Sequence, residues 1–210
     1  MKRLITFSVL VLSSCLAHAA YMVNYTYGVN VPIPDNSGIG LSDTHVVTTN
    51  INSINEVNVQ LTMSGGWSGD MYAYLSHGTG FAVLLNRPGR SLAEPTGSGT
   101  IDLSIILADS AASDIHTAIP TTASVSGNFQ PDARRIDPDN ALDTSPRTAF
   151  LSSFNGLDAN GNWTLYVADV ATGDTMTLDS WSLTIVGVPE PSVTLLGVMG
   201  VCLALRRRRE

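Results

Sequence analysis

The sequence predicts an all-β fold, a jelly-roll-like β-sandwich built from residues 21–188 of a 210-residue chain. Three observations predict it. Apolar and polar residues alternate with a period of two through most of that stretch, the pattern of half-buried strands. Turns rich in Gly, Asn and Asp, "SGGWSGD", "NRPGRS", "DANGN" and "ATGD", separate the alternating runs. Apart from the two ends, no segment carries an apolar helical period.

Residues 1–20 read as a secretory signal peptide. Lys2 and Arg3 are followed by an apolar run from Leu4 to Leu12, then by the small residues Ala17, Ala19 and Ala20 that suit cleavage after Ala19 or Ala20. Leu12-Ser13-Ser14-Cys15 also resembles a bacterial lipobox, so a lipidated Cys15 is the alternative. The first clear strand holds Val57, Val59, Leu61 and Met63 between Asn58, Gln60 and Thr62. Met71, Ala73 and Leu75 alternate with Tyr72 and Tyr74; Phe81, Val83 and Leu85 form the next face, and Ile101, Leu103, Ile105 and Leu107 the one after. The stretch from Asp109 to Ile119 has room for one short helical turn, and Asp132 to Pro146 reads as a long surface loop. Trp163, Leu165 and Val167 share a face, as do Trp181, Leu183 and Ile185.

Residues 189–210 form a separate tail. Pro189-Glu190-Pro191 closes the domain, since proline neither continues a ladder nor sits inside a helix. An apolar run from Ser192 to Leu205 follows, roughly 21 Å long as a helix against a hydrocarbon core of about 30 Å. Arg206, Arg207, Arg208 and Arg209 then act as a stop-transfer cluster left in the cytoplasm, with everything before Pro189 outside.

Between the ends the chain has no cysteine and no lysine, and five arginines against sixteen acidic residues. An exported domain without disulfides depends on its own core, and about 170 residues is long enough for one. The overall acidity argues against nucleic acid and anionic lipid surfaces as partners.

The sequence offers no catalytic constellation. "GWSGD", Gly66 to Asp70, departs from Gly-x-Ser-x-Gly at Asp70 and leads from strand to strand, so Ser68 belongs to a turn. His45, His77 and His116 are scattered without zinc spacing and are expected at surface or turn positions. Asp158, Asn160, Asn162 and Asp169 match positions 1, 3, 5 and 12 of an EF-hand loop, but Trp163 stands where the loop needs glycine and the residues after it belong to a strand. No cofactor is assigned; calcium in "DPDNALD", on Asp137, Asp139 and Asp143, is the alternative. Trp163 and Trp181 are expected in the core, and Trp67, with Tyr72 and Tyr74 nearby, as exposed binding aromatics.

"IPDN" at Ile33 to Asn36, "VNVQLTMSGGWSGDMYAYLSHGTGFAVLLNRPG" from Val57 to Gly89 and "FNGLDANGNWTLYVADVATGDTMTLDSWSLTI" from Phe154 to Ile185 resemble the P/Homo B domain of subtilisin-like proprotein convertases. The Gly69-Asp70 turn, Arg87-Pro88-Gly89, the Gly-x-Trp-x-Leu strand and the Ser-Trp-x-Leu strand carry the likeness. "GGWSGD" and "SHGTGF" depart from it, where the family often has a His before the turn and Ser-Pro-x-Gly-Thr after it. The tail resembles the PEP-CTERM sorting signal, which implies processing by an exosortase-like membrane enzyme. The resemblance implies a sandwich with no nucleophile, exported to the cell surface or extracellular matrix. Two partner classes follow: a separately encoded subtilisin-like protease, or an envelope polysaccharide or surface protein.

Overall fold

The computed structural model describes residues 21–121 and 123–189; the signal peptide and most of the sorting tail lie outside them. The strands are β1 (Tyr21–Pro32), β2 (Leu41–Val47), β3 (Ile51–Ser64), β4 (Met71–His77), β5 (Gly80–Asn86), β6 (Asp102–Leu107), β7 (Ser124–Phe129), β8 (Gly161–Asp169) and β9 (Thr177–Pro189). One sheet has the order β1-β9-β3-β6-β7 and the other β2-β8-β4-β5. All pairs are antiparallel except β6 with β7. The molecule is an all-β sandwich.

The period-two pattern explains how the sheets close on each other. Val57, Val59, Leu61 and Met63 of β3 face Trp163, Leu165 and Val167 of β8 and Met71, Ala73 and Leu75 of β4 in one buried cluster. Trp181, Leu183 and Ile185 complete it from β9. Both tryptophans are essentially inaccessible, and each spends its indole N–H: Trp163 Nε1 donates to the Ala159 carbonyl at 2.9 Å, Trp181 Nε1 to Asp43 Oδ2 at 2.7 Å. That partner matters, because an unpaired buried N–H would cost about 1–3 kcal/mol of what the ring's burial contributes.

β9 runs on to Pro189, opposite Ile51, and the strand ends where the missing N–H would end a ladder. The short helix α1 (Ile115–Ala118) falls inside the stretch expected to hold one, with the Asp114 side chain accepting from the His116 N–H.

Four expectations need correcting. β1, β2 and β7 are strands where none was assigned; β1 does alternate, with Val23, Tyr25, Tyr27 and Val29 turned to the core between Asn24, Thr26, Gly28 and Asn30, whereas β7 is mostly polar. Ile101 is 42% exposed and precedes β6. Phe81, Val83 and Leu85 do not share a face, because a register shift at Ala73/Tyr74 sets Leu85 opposite inward Ala73 but Val83 opposite outward Tyr74. Lastly, Asp132 to Pro146 is not wholly a surface loop. Asp132, Ala133 and Arg134 are buried, and Ala133 N–H bonds the Val83 carbonyl, so the segment extends the edge of β5.

Candidate functional site

The loops at the β5 end of the sandwich enclose a polar network. His116 at the start of α1 is buried, with Nδ1 2.7 Å from Asp132 Oδ2 and Nε2 2.8 Å from the Arg90 carbonyl oxygen. An ionised carboxylate and a carbonyl only accept, so both bonds are made when both ring nitrogens carry protons. Burial works against that charge, but the Asp132 hydrogen bond and charge and the Arg90 carbonyl outweigh it and raise the His116 pKa above the usual histidine value. Arg134, also buried, donates to Asp114 Oδ2 at 2.8 Å and to Asp132 Oδ1 at 3.3 Å. Arg147 Nε lies 3.6 Å from Asp114 Oδ2 at the edge of the group, so the buried His116 and Arg134 cations are compensated by Asp132 and Asp114, the condition for tolerating buried charge.

A cleft of about 290 Å³ opens above this network between Ser91, Glu94, Ser98, Thr121 and Asp143, with His116 in its wall. The Asp132–His116 pair has the orientation of a catalytic carboxylate and its histidine, but Nε2 is spent on a main-chain carbonyl. Ser68 is buried elsewhere, and its hydroxyl donates to the Ser98 carbonyl at 3.0 Å. His77, likewise buried, stacks on Trp163 with centroids 4.1 Å apart, and its ring nitrogens lie 2.9 and 2.6 Å from the Asn162 and Asp158 carbonyl oxygens. The expectation of surface histidines therefore fails for His77 and His116. Of the three histidines among the described residues, His45 alone is half-exposed, stacked on Tyr27 and bonded to Asp43.

The acidic loop is organised by arginine. Arg90 Nη1 donates to the carbonyls of Pro138, Asp139 and Ala141, and Arg134 donates to those of Leu142 and Asp143. Asp137 accepts from the Asp139 N–H and Asp143 from the Thr144 N–H, both as local turn caps. Among the described residues no group of three or more His, Cys, Asp or Glu side chains is placed to share one ion. Asp158 makes a similar turn with Asn160, whose Oδ1 accepts from the Thr49 N–H, pinning this loop to the β2–β3 turn.

A second acidic pair, Asp70 with Asp169, is brought together by the fold, although the sequence placed the two in unrelated motifs. Asp70, in the Gly-Asp turn, lies 3.5 Å from Arg87 Nη2, and the Val170 N–H donates to the Asp70 carbonyl. Asp169 is fully buried beside it, and its Oδ2 has no hydrogen-bond partner. Burial, with the Asp70 and Asp35 charges, pushes its pKa up to about 6.

The expected binding aromatics are separated. Trp67 is half-buried, donates to the Thr96 carbonyl, and covers Gly99, where an added Cβ would come within 2.6 Å of its ring. It is a packing residue rather than an exposed platform. Tyr72 and Tyr74 point outward from β4 and meet Tyr166 of β8 and Phe81 of β5, two residues the alternation pattern gave no reason to pair with them. Of the sorting residues, Pro189 ends β9, while Glu190, Pro191 and Arg206 to Arg209 lie outside the described residues.

The sequence model of the proprotein convertase P-domain family matches residues 130–185, which run from the end of β7 through β8 and most of β9. The chain is also similar to a solved serine protease of Aeromonas sobria, with 16% identity and a TM-score of 0.47 over 80% of this chain. The same enzyme in complex with its chaperone gives 17% identity and a TM-score of 0.46 over 81% of this chain. The match spans only 27% of the length of either protease chain. No curated protein matches the chain.

Proposed function

We propose that the chain is a non-catalytic, exported β-sandwich of the P/Homo B type that serves as a structural or binding module at the cell surface or in the extracellular matrix. The observation that carries the non-catalytic reading is the saturation of the Asp132–His116 pair. With Nδ1 on a carboxylate and Nε2 on the Arg90 carbonyl, the ring has no nitrogen left to take a proton from a nucleophile. The P-domain match supports the same reading, because that domain is the non-catalytic part of subtilisin- and kexin-type proteases. Export and sorting rest on the signal-peptide pattern of residues 1–20 and on the Pro189-Glu190-Pro191, apolar and arginine segments, which suit an exosortase-like processing enzyme.

The purified protein is expected to hydrolyse neither peptides nor esters and to take no label from a serine-directed fluorophosphonate. Covalent labelling of Ser68 would overturn the reading. The second reading, an accessory domain acting in trans on a separately encoded subtilisin-like protease, is favoured by the P-domain match alone. It predicts that such a protease co-purifies with the protein from its own cells.

A further inference from the structure

We propose that the outward face of the four-stranded sheet binds a polysaccharide chain that carries carboxylate groups, with the aromatic cluster packing against the sugar rings and Arg135 pairing with a uronate. The proposal deepens the reading of the chain as a surface module. The cross-strand register builds this face. Tyr166 pairs with Ser42 on one side and Tyr74 on the other, and Thr164 pairs with Thr44 and Ser76. Rings and hydroxyls therefore alternate across neighbouring strands. Tyr74 stacks on Tyr166 at 4.7 Å, Phe81 lies 5.0 Å from Tyr74, and Tyr72 reaches both tyrosines at 6.0 and 6.4 Å.

Aromatic rings on the solvent side of a sheet are not needed for the core, which is already filled from the other face. From Tyr72 to Ser76 the strip runs about 13 Å along the strand, enough for a short run of sugar units. Sugars present flat C–H faces to rings and hydroxyls to serine and threonine, and this surface offers both.

Charge selects the ligand further. None of the outward residues of β2, β4 and β8 is acidic, in a chain of net charge −7. Arg87, Arg90, Arg134 and Arg147 spend their guanidinium N–H groups on protein carbonyls or side-chain oxygens. Arg135 is exposed and lies 5.0 Å over the Phe81 ring. Among the described residues it has no hydrogen-bonded acceptor and no carboxylate partner. The ring contact steadies the guanidinium while leaving its planar fork for a ligand carboxylate.

The test uses the full chain in affinity electrophoresis through gels containing polygalacturonate, dextran or polyglutamate. Retardation by polygalacturonate alone is expected, weakened about tenfold in Kd by Arg135→Glu and by Phe81→Ala. Arg135→Glu alters an exposed side chain and is checked for an unchanged Tm, so a loss of retardation reads binding and not folding. No retardation by polygalacturonate, retardation that survives Arg135→Glu, or equal retardation by dextran would each overturn the proposal. Equal retardation by polyglutamate would assign the face to acidic protein and overturn it as well. A failure here leaves the non-catalytic reading standing, because serine labelling tests that reading independently.

Discussion

Replacing Asp169 by Asn should stabilise the protein at neutral pH. The side chain is fully buried at the end of β8, its Oδ2 is unpartnered, and the Asp70 and Asp35 charges disfavour its ionisation. Its pKa therefore rises from 3.8 unfolded to about 6 folded. The folded state holds a proton that the unfolded state has released across that interval, so stability falls as pH rises from about 4 to about 6. A shift of about two units corresponds to roughly 3 kcal/mol of differential interaction. Asparagine is neutral at every pH and keeps an oxygen to accept from the Ala171 N–H, so it removes the buried charge without losing that bond. Thermal melts of wild type and Asp169→Asn at intervals from pH 3.5 to 8 measure the effect. The curves should meet near pH 4 and diverge above it, the variant melting about 6–12 °C higher at pH 7, at 2–4 °C per kcal/mol for a domain of this size. A variant less stable than wild type at pH 7, or a gain independent of pH, would refute the argument.

Trp163→Ala should cost roughly 3–5 kcal/mol in urea denaturation, with loss of the stack on His77 and an orphaned Ala159 carbonyl, whereas half-buried Trp67→Ala should cost about 1–2 kcal/mol. His116 has its folded pKa raised, so the stability it contributes is complete below its unfolded value and lost as pH rises through the folded one; His116→Gln should flatten the stability profile above pH 6.5. Arg90→Ala should loosen the loop from Asp137 to Asp143 and cost roughly 2–4 kcal/mol, while calcium or a chelator should leave Tm unchanged.

The closing pair β8 and β9 was legible because Trp163, Leu165 and Val167, and Trp181, Leu183 and Ile185, each repeat at period two against one buried face. β1 carries the same signal, with Val23, Tyr25, Tyr27 and Val29 half-buried between exposed Asn24, Thr26, Gly28 and Asn30, but β7 does not, because its residues are mostly polar. β5 is a continuous apolar run from Phe81 to Leu85, which does not say which residues face the core, and the shift at Ala73/Tyr74 changes the facing inside the strand. The polar network was invisible for a different reason. His116, Asp132 and Arg134 are brought together with Arg90 by loops, and no local spacing encodes those contacts. Tyr72 and Tyr74 were recognised as outward aromatics, but only cross-strand register identifies Tyr166 and Phe81 as their neighbours and removes Trp67 from the group.

Intact-mass spectrometry of the protein isolated from its own cells tests most directly the account of an exported, sorted module. The account predicts an N-terminus at Ala20 or Tyr21 and a C-terminus that has lost the apolar run and Arg206 to Arg209; replacing Pro189, Glu190 and Pro191 by alanines should then leave a full-length tail held in the membrane. A wild-type protein still ending at Glu210 would contradict it and leave a plain membrane anchor in place of the sorting signal.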